Sequence, residues 1–159
     1  MKILLAALSL AIAPVLAAAQ MPVVAATDQA ALLASPDPAL AANKRLVYDF
    51  WREVFEGGHM ESVDKYLAEG YIQHNPNVPT GRAGFVAVFS KMAKPQPVKP
   101  VIAAPLVSIV AERDLVILSF ARQRPDPADK DKTYTTTWFD MFRIENGKIA
   151  EHWDPAVKP

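Results

Sequence analysis

Residues 135–154 read Thr-Thr-Thr-Trp-Phe-Asp-Met-Phe-Arg-Ile-Glu-Asn-Gly-Lys-Ile-Ala-Glu-His-Trp-Asp. Apolar and aromatic residues dominate both halves, and the Asn146-Gly147 pair between them is the strongest short-range signal for a β-hairpin. Each half also carries an aspartate beside large apolar residues, Asp140 in the first half and Asp154 in the second. A buried carboxylate must be paired or must hold a proton. Two of them close together would therefore form an acid/base site.

The length of the turn decides whether the two aspartates share a face of the sheet. A two-residue loop would place Asp140 on the same face as Trp153. A three-residue loop, with Gly147 in a left-handed conformation, would instead place Asp140 with His152 and Asp154. We favour the three-residue loop, because Glu-Asn-Gly-Lys suits a type I turn followed by a glycine bulge. On this interpretation Asp140 lies opposite His152, and Trp153 points the other way.

The first 19 residues have the pattern of a secretory signal. Lys2 precedes an apolar run, Ile3 to Leu16, and small residues follow before Gln20. The run is too short to span a membrane. We therefore predict cleavage after Ala19 and a periplasmic or secreted protein without a membrane anchor.

The remaining residues, 20–159, are enough for one domain with its own hydrophobic core. The whole chain has 17 basic and 17 acidic residues, so loss of Lys2 leaves 16 against 17, a net charge of −1. This balance gives no electrostatic basis for binding nucleic acid or an anionic membrane. The absence of cysteine excludes disulfides and a thiolate nucleophile.

Three helices are predicted in the first half of the domain, which we place at 37–159 after a flexible leader or marginal helix at 20–36. The first helix begins at Asp37-Pro38, an N-cap followed by proline, and ends at Gly57-Gly58. The second covers about 60–67, and Thr80 caps the third. The first and third helices carry apolar stripes at helical spacing: Val47, Phe50, Trp51 and Val54 in the first, and Phe85, Val88, Phe89 and Met92 in the third.

After Pro100 the sequence is rich in β-forming residues. Val101–Arg113 and Leu115–Arg124 are predicted strands joined by a tight reversal, and a polar loop leads to the final hairpin. A brief extended piece, Tyr71 to Pro76, lies between the helices. Helices followed by a meander predict an α+β domain, a cone-shaped curved antiparallel sheet wrapped around the N-terminal helices. Such a sheet leaves a cavity open at one end.

Several motifs resemble the SnoaL-like, or polyketide cyclase-like, proteins of the nuclear-transport-factor-2-like superfamily. In chain order they are Tyr71-Ile72-Gln73-His74-Asn75-Pro76, Gly81, Asp140-Met141-Phe142-Arg143, Gly147-Lys148-Ile149 and Glu151-His152-Trp153-Asp154. The resemblance covers roughly residues 46–154. It implies a cone-shaped α+β barrel with a deep apolar pocket, and a homodimer formed through the sheet.

The resemblance also implies chemistry that needs no cofactor. In SnoaL-type cyclases an aspartate on the last strand acts as acid/base in an intramolecular aldol closure, and a histidine on the preceding strand assists it. Asp154 matches the position of the aspartate. Asp140 occupies the partner position, so this chain has a carboxylate where those cyclases have an imidazole.

The candidate catalytic residues are Asp154 as base, Asp140 as partner acid or orienting group, and His74 as proton relay or hydrogen-bond donor. If both aspartates line one cavity, their repulsion should leave one neutral and the other ionised. Such a pair could remove a proton α to a carbonyl and stabilise the enolate. The candidate substrate-binding residues are His152, Trp153, Asn75, Phe50 and Trp138, although Trp153 would also suit the core and Asn75 a turn.

We predict no metal site and no cofactor. The three histidines, at 59, 74 and 152, lack the i, i+4 spacing of a helical zinc site, although His74, His152 and a carboxylate could converge in the folded chain. We therefore predict an exported domain that acts on a small hydrophobic carbonyl compound by aldol, isomerase or cyclase chemistry. The alternative is a binding module that holds a small molecule without turnover, or that uses its sheet face as a dimer interface.

Overall fold

The computed structural model describes residues 20–159. The predicted signal sequence, residues 1–19, therefore lies outside the described residues. Among residues 20–159, no helix combines the length and the apolar character needed to cross a membrane.

The helices lie in the first half of the described residues, 20–159, and supply one layer of the core. They are α1 (Gln29–Leu32), α2 (Pro38–Phe50), α3 (Val63–Tyr66) and α4 (Arg82–Phe89). A π-helical turn, Trp51–Glu56, continues α2, and a 3-10 turn, Met60–Ser62, leads into α3. The second predicted helix, about 60–67, is confirmed as this 3-10 turn and α3, and it ends at Tyr66 because β1 begins at Leu67.

The first predicted helix is confirmed at its start. Asp37 Oδ1 accepts a hydrogen bond from the Ala39 backbone N–H at 2.7 Å, and Pro38 takes the first helical position. Its apolar stripe is buried in the core: Val47, Phe50, Trp51 and Val54. The backbone N–H of Gly57 donates to Arg52 O at 2.9 Å, a five-residue closure that widens the last turn. Trp51 and Phe55, both in this turn, line the cavity described below.

Five strands form one curved, unclosed sheet in the order β1-β5-β4-β3-β2. They are β1 (Leu67–Gln73), β2 (Leu106–Glu112), β3 (Leu115–Pro125), β4 (Thr133–Glu145) and β5 (Lys148–Trp153). β1 runs parallel to β5, and the other neighbours are antiparallel. The predicted α+β class is confirmed. The parallel β1–β5 pair is the departure from an all-antiparallel meander, and it brings the Tyr71–Asn75 segment beside the last strand.

For the segment 20–36 we predicted a flexible leader or a marginal helix, and the structure shows the second, since the short helix α1 lies within it. The Ala26 N–H donates to Leu106 O at 2.8 Å, on the edge strand β2. The Gln29 side chain bonds both the N–H and the carbonyl of Ile102, at 3.0 and 2.9 Å. Leu33 is buried in the core. The segment covers the edge strand, whose backbone groups would otherwise lack partners.

Three other local expectations are wrong. Thr80 does not cap α4, because its hydroxyl accepts from the Gln73 N–H at 3.1 Å and Gly81, with φ of 88°, takes the N-cap position. β2 begins at Leu106 rather than Val101. Met92 lies beyond α4 and is exposed, so the apolar stripe of that helix ends earlier than predicted.

The final hairpin turns through two residues, contrary to the three-residue turn that we favoured. Glu145 pairs with Lys148. Asn146 and Gly147 both have positive φ, 51° and 70°, as a type I′ turn requires. Asn enters the left-handed region more readily than most residues, which makes this tighter turn accessible.

A β-bulge at Ala150 changes the register directly after the turn. Ile144 pairs with Ile149, whereas the preceding residue, Arg143, pairs with Glu151. Ala150 is therefore one extra residue in β5, and both it and Ile149 are buried. An extra residue of this kind reverses the face to which all later side chains of the strand point.

The bulge gives Asp140 the neighbours that the three-residue turn was expected to give. His152 lies opposite Phe142, so it shares a face with Asp140 and is diagonal to it rather than directly opposite. Trp153 lies opposite Met141 on the other face, in agreement with the predicted direction. The faces to which His152 and Trp153 point were therefore predicted correctly, whereas the length of the turn and the residue opposite His152 were not.

Candidate active site

The helices and the concave face of the sheet enclose a cavity of about 460 Å³. Aromatic side chains from both layers form most of its wall: Phe50, Trp51, Phe55, Phe85, Phe89, Phe120, Trp138 and Phe142. A smaller polar group joins them: Tyr71, Gln73, Asn75, Arg122, Asp140, His152 and Asp154. An apolar cavity with a few convergent polar groups is the usual form of a small-molecule site.

Six of the eight predicted site residues line this cavity: Asp140, Asp154, His152, Asn75, Phe50 and Trp138. The other two, His74 and Trp153, do not. Their rings stack on each other with centroids 4.9 Å apart, and His74 Nε2 lies 2.7 Å from Glu151 Oε1. Placing these two residues in the cavity is wrong because side chains alternate along a strand, so His74 points away from its neighbours Gln73 and Asn75.

Asp140 and His152 form a buried hydrogen-bonded pair. His152 Nε2 lies 3.1 Å from Asp140 Oδ1, and the two residues are 7% and 5% exposed. On the other side of the ring, His152 Nδ1 lies 2.8 Å from Gln73 Oε1. That oxygen also accepts the Asn75 N–H at 2.9 Å, so it acts as an acceptor and His152 Nδ1 carries a proton.

The pair therefore holds one further proton between His152 Nε2 and Asp140 Oδ1. The proton lies either on the ring, giving an imidazolium and a carboxylate, or on the carboxyl group beside a neutral ring. Both arrangements have no net charge, and both keep a transferable proton in the cavity. The second oxygen, Asp140 Oδ2, is buried and has no hydrogen-bond partner among residues 20–159. A buried polar atom left in this way calls for a partner from outside the chain.

Asp154 is oriented by two N–H donors. Asn75 Nδ2 donates to its Oδ2 at 2.7 Å, and the Ala156 backbone N–H donates to its Oδ1 at 2.8 Å. The Asn77 N–H donates to Asn75 Oδ1 at 2.9 Å and so fixes the direction of that amide. Because both partners of Asp154 are donors, the carboxylate needs no proton of its own for these contacts.

Tyr71 is a site residue that the sequence analysis missed. It is 2% exposed, lines the cavity, and accepts a hydrogen bond on its hydroxyl from Gln73 Nε2 at 3.0 Å. Burial, followed by the charges of Asp154 and Asp140, raises the pKa of the Tyr71 hydroxyl well above its ordinary value. The hydroxyl therefore stays protonated. Its O–H has no acceptor among the described residues and can donate to a ligand.

Two further lining residues were also missed as parts of the site. Trp51 was predicted only as part of a core stripe, yet it lines the cavity, and its Nε1 is buried without a hydrogen-bond partner in the described chain. Arg122 was treated only as part of a strand, yet its guanidinium lies 3.6 Å from the centroid of the Trp138 ring. Alternation from the buried Leu118 and Phe120 indicates that Arg122 faces inward.

Asp140, His152 and Asp154 could also act together as ligands of a cation. One ligand atom from each lies within 4.8 Å of the others, and two carboxylates with an imidazole suit several divalent metals. The arrangement differs from the cluster that we weighed from the sequence, because Asp140 and Asp154 take part and His74 does not. The His152–Asp140 hydrogen bond is already satisfied by a proton, which a cation would have to replace.

A family model described as a SnoaL-like domain matches residues 47–152, about two thirds of the chain. A search among curated proteins found no match. Solved structures with a similar fold include two candidate polyketide cyclases and an epoxide hydrolase. A candidate polyketide cyclase from Acidithiobacillus ferrooxidans is 20% identical, with a TM-score of 0.50, covering 71% of this chain and 86% of that one.

A candidate SnoaL-like polyketide cyclase from Jannaschia sp. CCS1 is 13% identical, with a TM-score of 0.52, covering 77% of this chain and 91% of that one. An LEH-like epoxide hydrolase from M. tuberculosis is 14% identical, with a TM-score of 0.51, covering 74% of this chain and 84% of that one. At these identities the likeness concerns the fold.

Proposed function

This chain belongs to the family of SnoaL-like domains, and on that premise we propose that its cavity performs acid/base catalysis without a cofactor. The substrate would be a small hydrophobic carbonyl compound, and the reaction an aldol, isomerase or cyclase step. One observation carries the proposal: the Asp154 carboxylate and the proton-holding Asp140–His152 pair line the same aromatic cavity. Similar folds that include candidate cyclases and an epoxide hydrolase support a catalytic use of such a cavity.

The proposed step is formation of an enol. Asp154 removes a proton from the carbon α to the carbonyl, and the Asp140–His152 pair gives its shared proton to the carbonyl oxygen. The O–H of Tyr71 donates a hydrogen bond to that oxygen as its negative charge develops. The enol carbon then attacks a second carbonyl, or takes a proton back at another position, and the two acid/base groups return to their first states.

His152 takes the relay role that we had expected for His74. It lies beside Asp140, and its tautomer is set by Gln73. His74 lies on the outer side of the sheet against Trp153 and Glu151 and has no part in the proposed step.

Exchange of α-protons tests the proposal without knowledge of the natural substrate. We would follow 2-tetralone in D₂O by proton NMR with the wild-type protein, Asp154→Asn, and Asp131→Asn as a control at an exposed loop position. Removal of a general base should lower the catalysed exchange rate by a factor on the order of 100 or more. The control should exchange like the wild type, and circular dichroism should show all three proteins folded.

The opposite result would favour the binding module. If the wild type exchanges 2-tetralone and 2-indanone no faster than Asp154→Asn does, the cavity supplies no base. The same 460 Å³ cavity would then serve to hold a small molecule without turnover.

We propose further that the protein acts in the periplasm or outside the cell. The proposal rests on the sequence of residues 1–19, in which a charged residue is followed by an apolar run and then by small residues. Mass spectrometry of the protein from its own cells should find a chain that begins at Gln20. An intact Met1 in the membrane fraction would contradict the proposal.

A further inference from the structure

Arg122 brings a positive charge to the wall of an otherwise aromatic cavity. The residue is half-buried and lines the cavity, and its guanidinium lies 3.6 Å from the centroid of Trp138. Among residues 20–159, none accepts a hydrogen bond from this guanidinium or forms a salt bridge with it. Arg52 and Arg143 differ in this respect, since each is paired with a carboxylate, at 3.0 and 2.8 Å.

Stacking on Trp138 leaves the edge of the guanidinium free. A guanidinium has five N–H donors in one plane, and a ring below that plane occupies only its face. The in-plane donors match the two oxygens of a carboxylate, which can accept two parallel hydrogen bonds. Half-burial beside apolar rings limits the water that could satisfy these donors, so a ligand oxyanion is the partner that fits.

The register of the sheet places this charge apart from the acid/base groups. Trp138, beneath the guanidinium, precedes Asp140 by two residues on β4, about 7 Å along the strand. The next residues of β3, Gln123 and Arg124, are exposed, so Arg122 marks the solvent-side end of the wall. Because the Asp140–His152 pair has no net charge, Asp154 is the nearest uncompensated negative group of the wall.

We propose that Arg122 binds a carboxylate of the ligand, and that the ligand is an oxo acid with an apolar body. Its carboxylate would lie at Arg122, its body against the aromatic wall, and its carbonyl near Asp140, several bonds from the carboxylate. The position of the carbonyl rests on the proposed function, whereas the recognition of the carboxylate by Arg122 does not.

A pair of ligands that differ in one group tests the proposal. We would measure the binding of 4-(1-naphthyl)butanoate and of 4-(1-naphthyl)butan-1-ol by isothermal titration calorimetry. The proteins are the wild type, Arg122→Gln, Arg122→Lys, and Arg124→Gln as a control two residues along the same strand. Thermal unfolding of each variant checks that it is folded.

The wild type should bind the butanoate on the order of 10-fold more tightly than the alcohol, although the alcohol is the more apolar of the two. Arg122→Gln should abolish this difference by weakening the butanoate alone. Arg122→Lys should keep part of it, because the charge remains while the planar pair of donors is lost. Arg124→Gln should behave as the wild type.

Equal affinity of the wild-type protein for the two compounds would overturn the proposal, even if Arg122→Gln failed to fold. An equal loss for both compounds in Arg122→Gln would overturn it too, since Arg122 would then act only by packing on Trp138. Neither measurement involves turnover. If the protein shows no preference for the carboxylate, the proposed exchange of the neutral ketone 2-tetralone is not affected. If the protein does not catalyse that exchange, the proposed binding of a carboxylate by Arg122 is not affected.

Discussion

Gln73 is the residue that fixes the protonation pattern of the site. Its oxygen accepts from His152 Nδ1 and from the Asn75 N–H, and its amide nitrogen donates to the Tyr71 hydroxyl at 3.0 Å. One side chain therefore orients the histidine and the tyrosine of the proposed mechanism together. Tertiary partners of this kind determine which ring nitrogen of a histidine is protonated.

Replacement of Gln73 should change the tautomer of His152 and lower the stability of the folded protein. In Gln73→Met the Asn75 N–H and His152 Nδ1 lose their acceptor, so we expect the free energy of unfolding to fall by about 1–3 kcal/mol. Nitrogen-15 NMR should find His152 protonated at Nδ1 in the wild type and divided between tautomers in the variant. Gln123→Met is the control, because that side chain bonds only the exposed Thr133. An unchanged His152 spectrum would show that Gln73 does not set the tautomer.

Site residues were predicted correctly where the chemistry of the side chain and the alternation along the strand both place it in the cavity. They were predicted wrongly where the two disagree. Asn75 and His74 were both assigned to the cavity, yet neighbours in a strand point to opposite faces. His74 was chosen for the chemistry of its side chain. The alternation of the same segment indicates Tyr71, Gln73 and Asn75 as the group that shares a face, and these are the residues that line the cavity.

At the scale of elements, Glu53 joins the π-helical turn to the segment that leads into the sheet. Its two oxygens accept from Lys65 Nζ at 2.8 Å and from the Tyr66 hydroxyl at 2.6 Å. The hydrogen bond from Lys65, followed by those from Ser62 and Tyr66, lowers the pKa of Glu53 from 4.5 to about 2. The ionised form thus stabilises the folded chain.

The sign of the pH dependence follows from this lowered pKa. The stabilisation by Glu53 is fully present above pH 4.5 and is lost as the pH falls through about 2. Urea unfolding should therefore find Glu53→Gln less stable than the wild type at pH 7, with a difference that shrinks below pH 4.5. The exposed Glu112→Gln should show no such difference. A gap between wild type and Glu53→Gln that is the same at pH 7 and pH 2 would contradict the assignment.

The type I′ turn makes a separate prediction for Gly147. Its φ is 70°, and an added Cβ would meet no atom within 4 Å, so only backbone strain opposes a side chain there. Gly147→Ala should lower the free energy of unfolding by about 1–2 kcal/mol, measured by chemical denaturation. Gly70→Ala is the matched control for Gly147→Ala, because a Cβ added at Gly70 also meets no atom within 4 Å, while the φ of Gly70 is not left-handed. Equal losses at the two positions would rule out the conformational explanation.

Elements with strong local signals were predicted, and those set by distant partners were not. The stripe of α2, its Asp37 cap and the Asn146-Gly147 hairpin all depend on neighbouring residues. The two-residue turn is the one that Asn-Gly favours locally, whereas the Ala150 bulge depends on which residues of β5 can be buried. The bond from the Ile144 N–H to Asp114 O, at 2.7 Å, also helps to determine the register there. No local pattern contains that information.

At the scale of the whole molecule, the outer face of the sheet carries an apolar row. Successive pairs across four strands place Trp153, Met141, Ile117 and Val110 side by side. Val110 is 54% exposed, and Phe139, on the same face, is 51% exposed. Contiguous exposed apolar surface of this kind marks interaction sites. We propose that this face joins two copies of the chain.

A charge in the middle of that face should separate the copies. Analytical ultracentrifugation should find a dimer of the wild type and a monomer of Phe139→Glu, because a carboxylate buried between two sheets would lack a partner. Val157→Glu, at an exposed position of the C-terminal tail, should remain dimeric. A wild type that sediments as a monomer at every concentration would contradict the proposal.

The overall class was predictable because all helices precede the four strands β2 to β5 in the sequence, and that order limits the ways of forming layers. The packing of 20–36 on β2 and the parallel pairing of β1 with β5 were not. Both join residues that are far apart in sequence, Ala26 with Leu106 and Gln73 with His152. Their local sequences are compatible with several partners, and the folded molecule selects one.

The extra residue at Ala150 also bears on how such a hairpin can change in evolution. Asp140 and Asp154 are separated by an even step, 154 − 140 = 14. A descendant that gained one residue in the turn, or that lost Ala150, would change this step to an odd number. It would still keep Arg143 opposite Glu151 and both carboxylates inside, because a loop or a bulge takes up one residue without moving the paired positions. The step between the two aspartates is therefore free to change by one. Homologous hairpins should accordingly be aligned by their paired positions rather than by the count between their acidic residues.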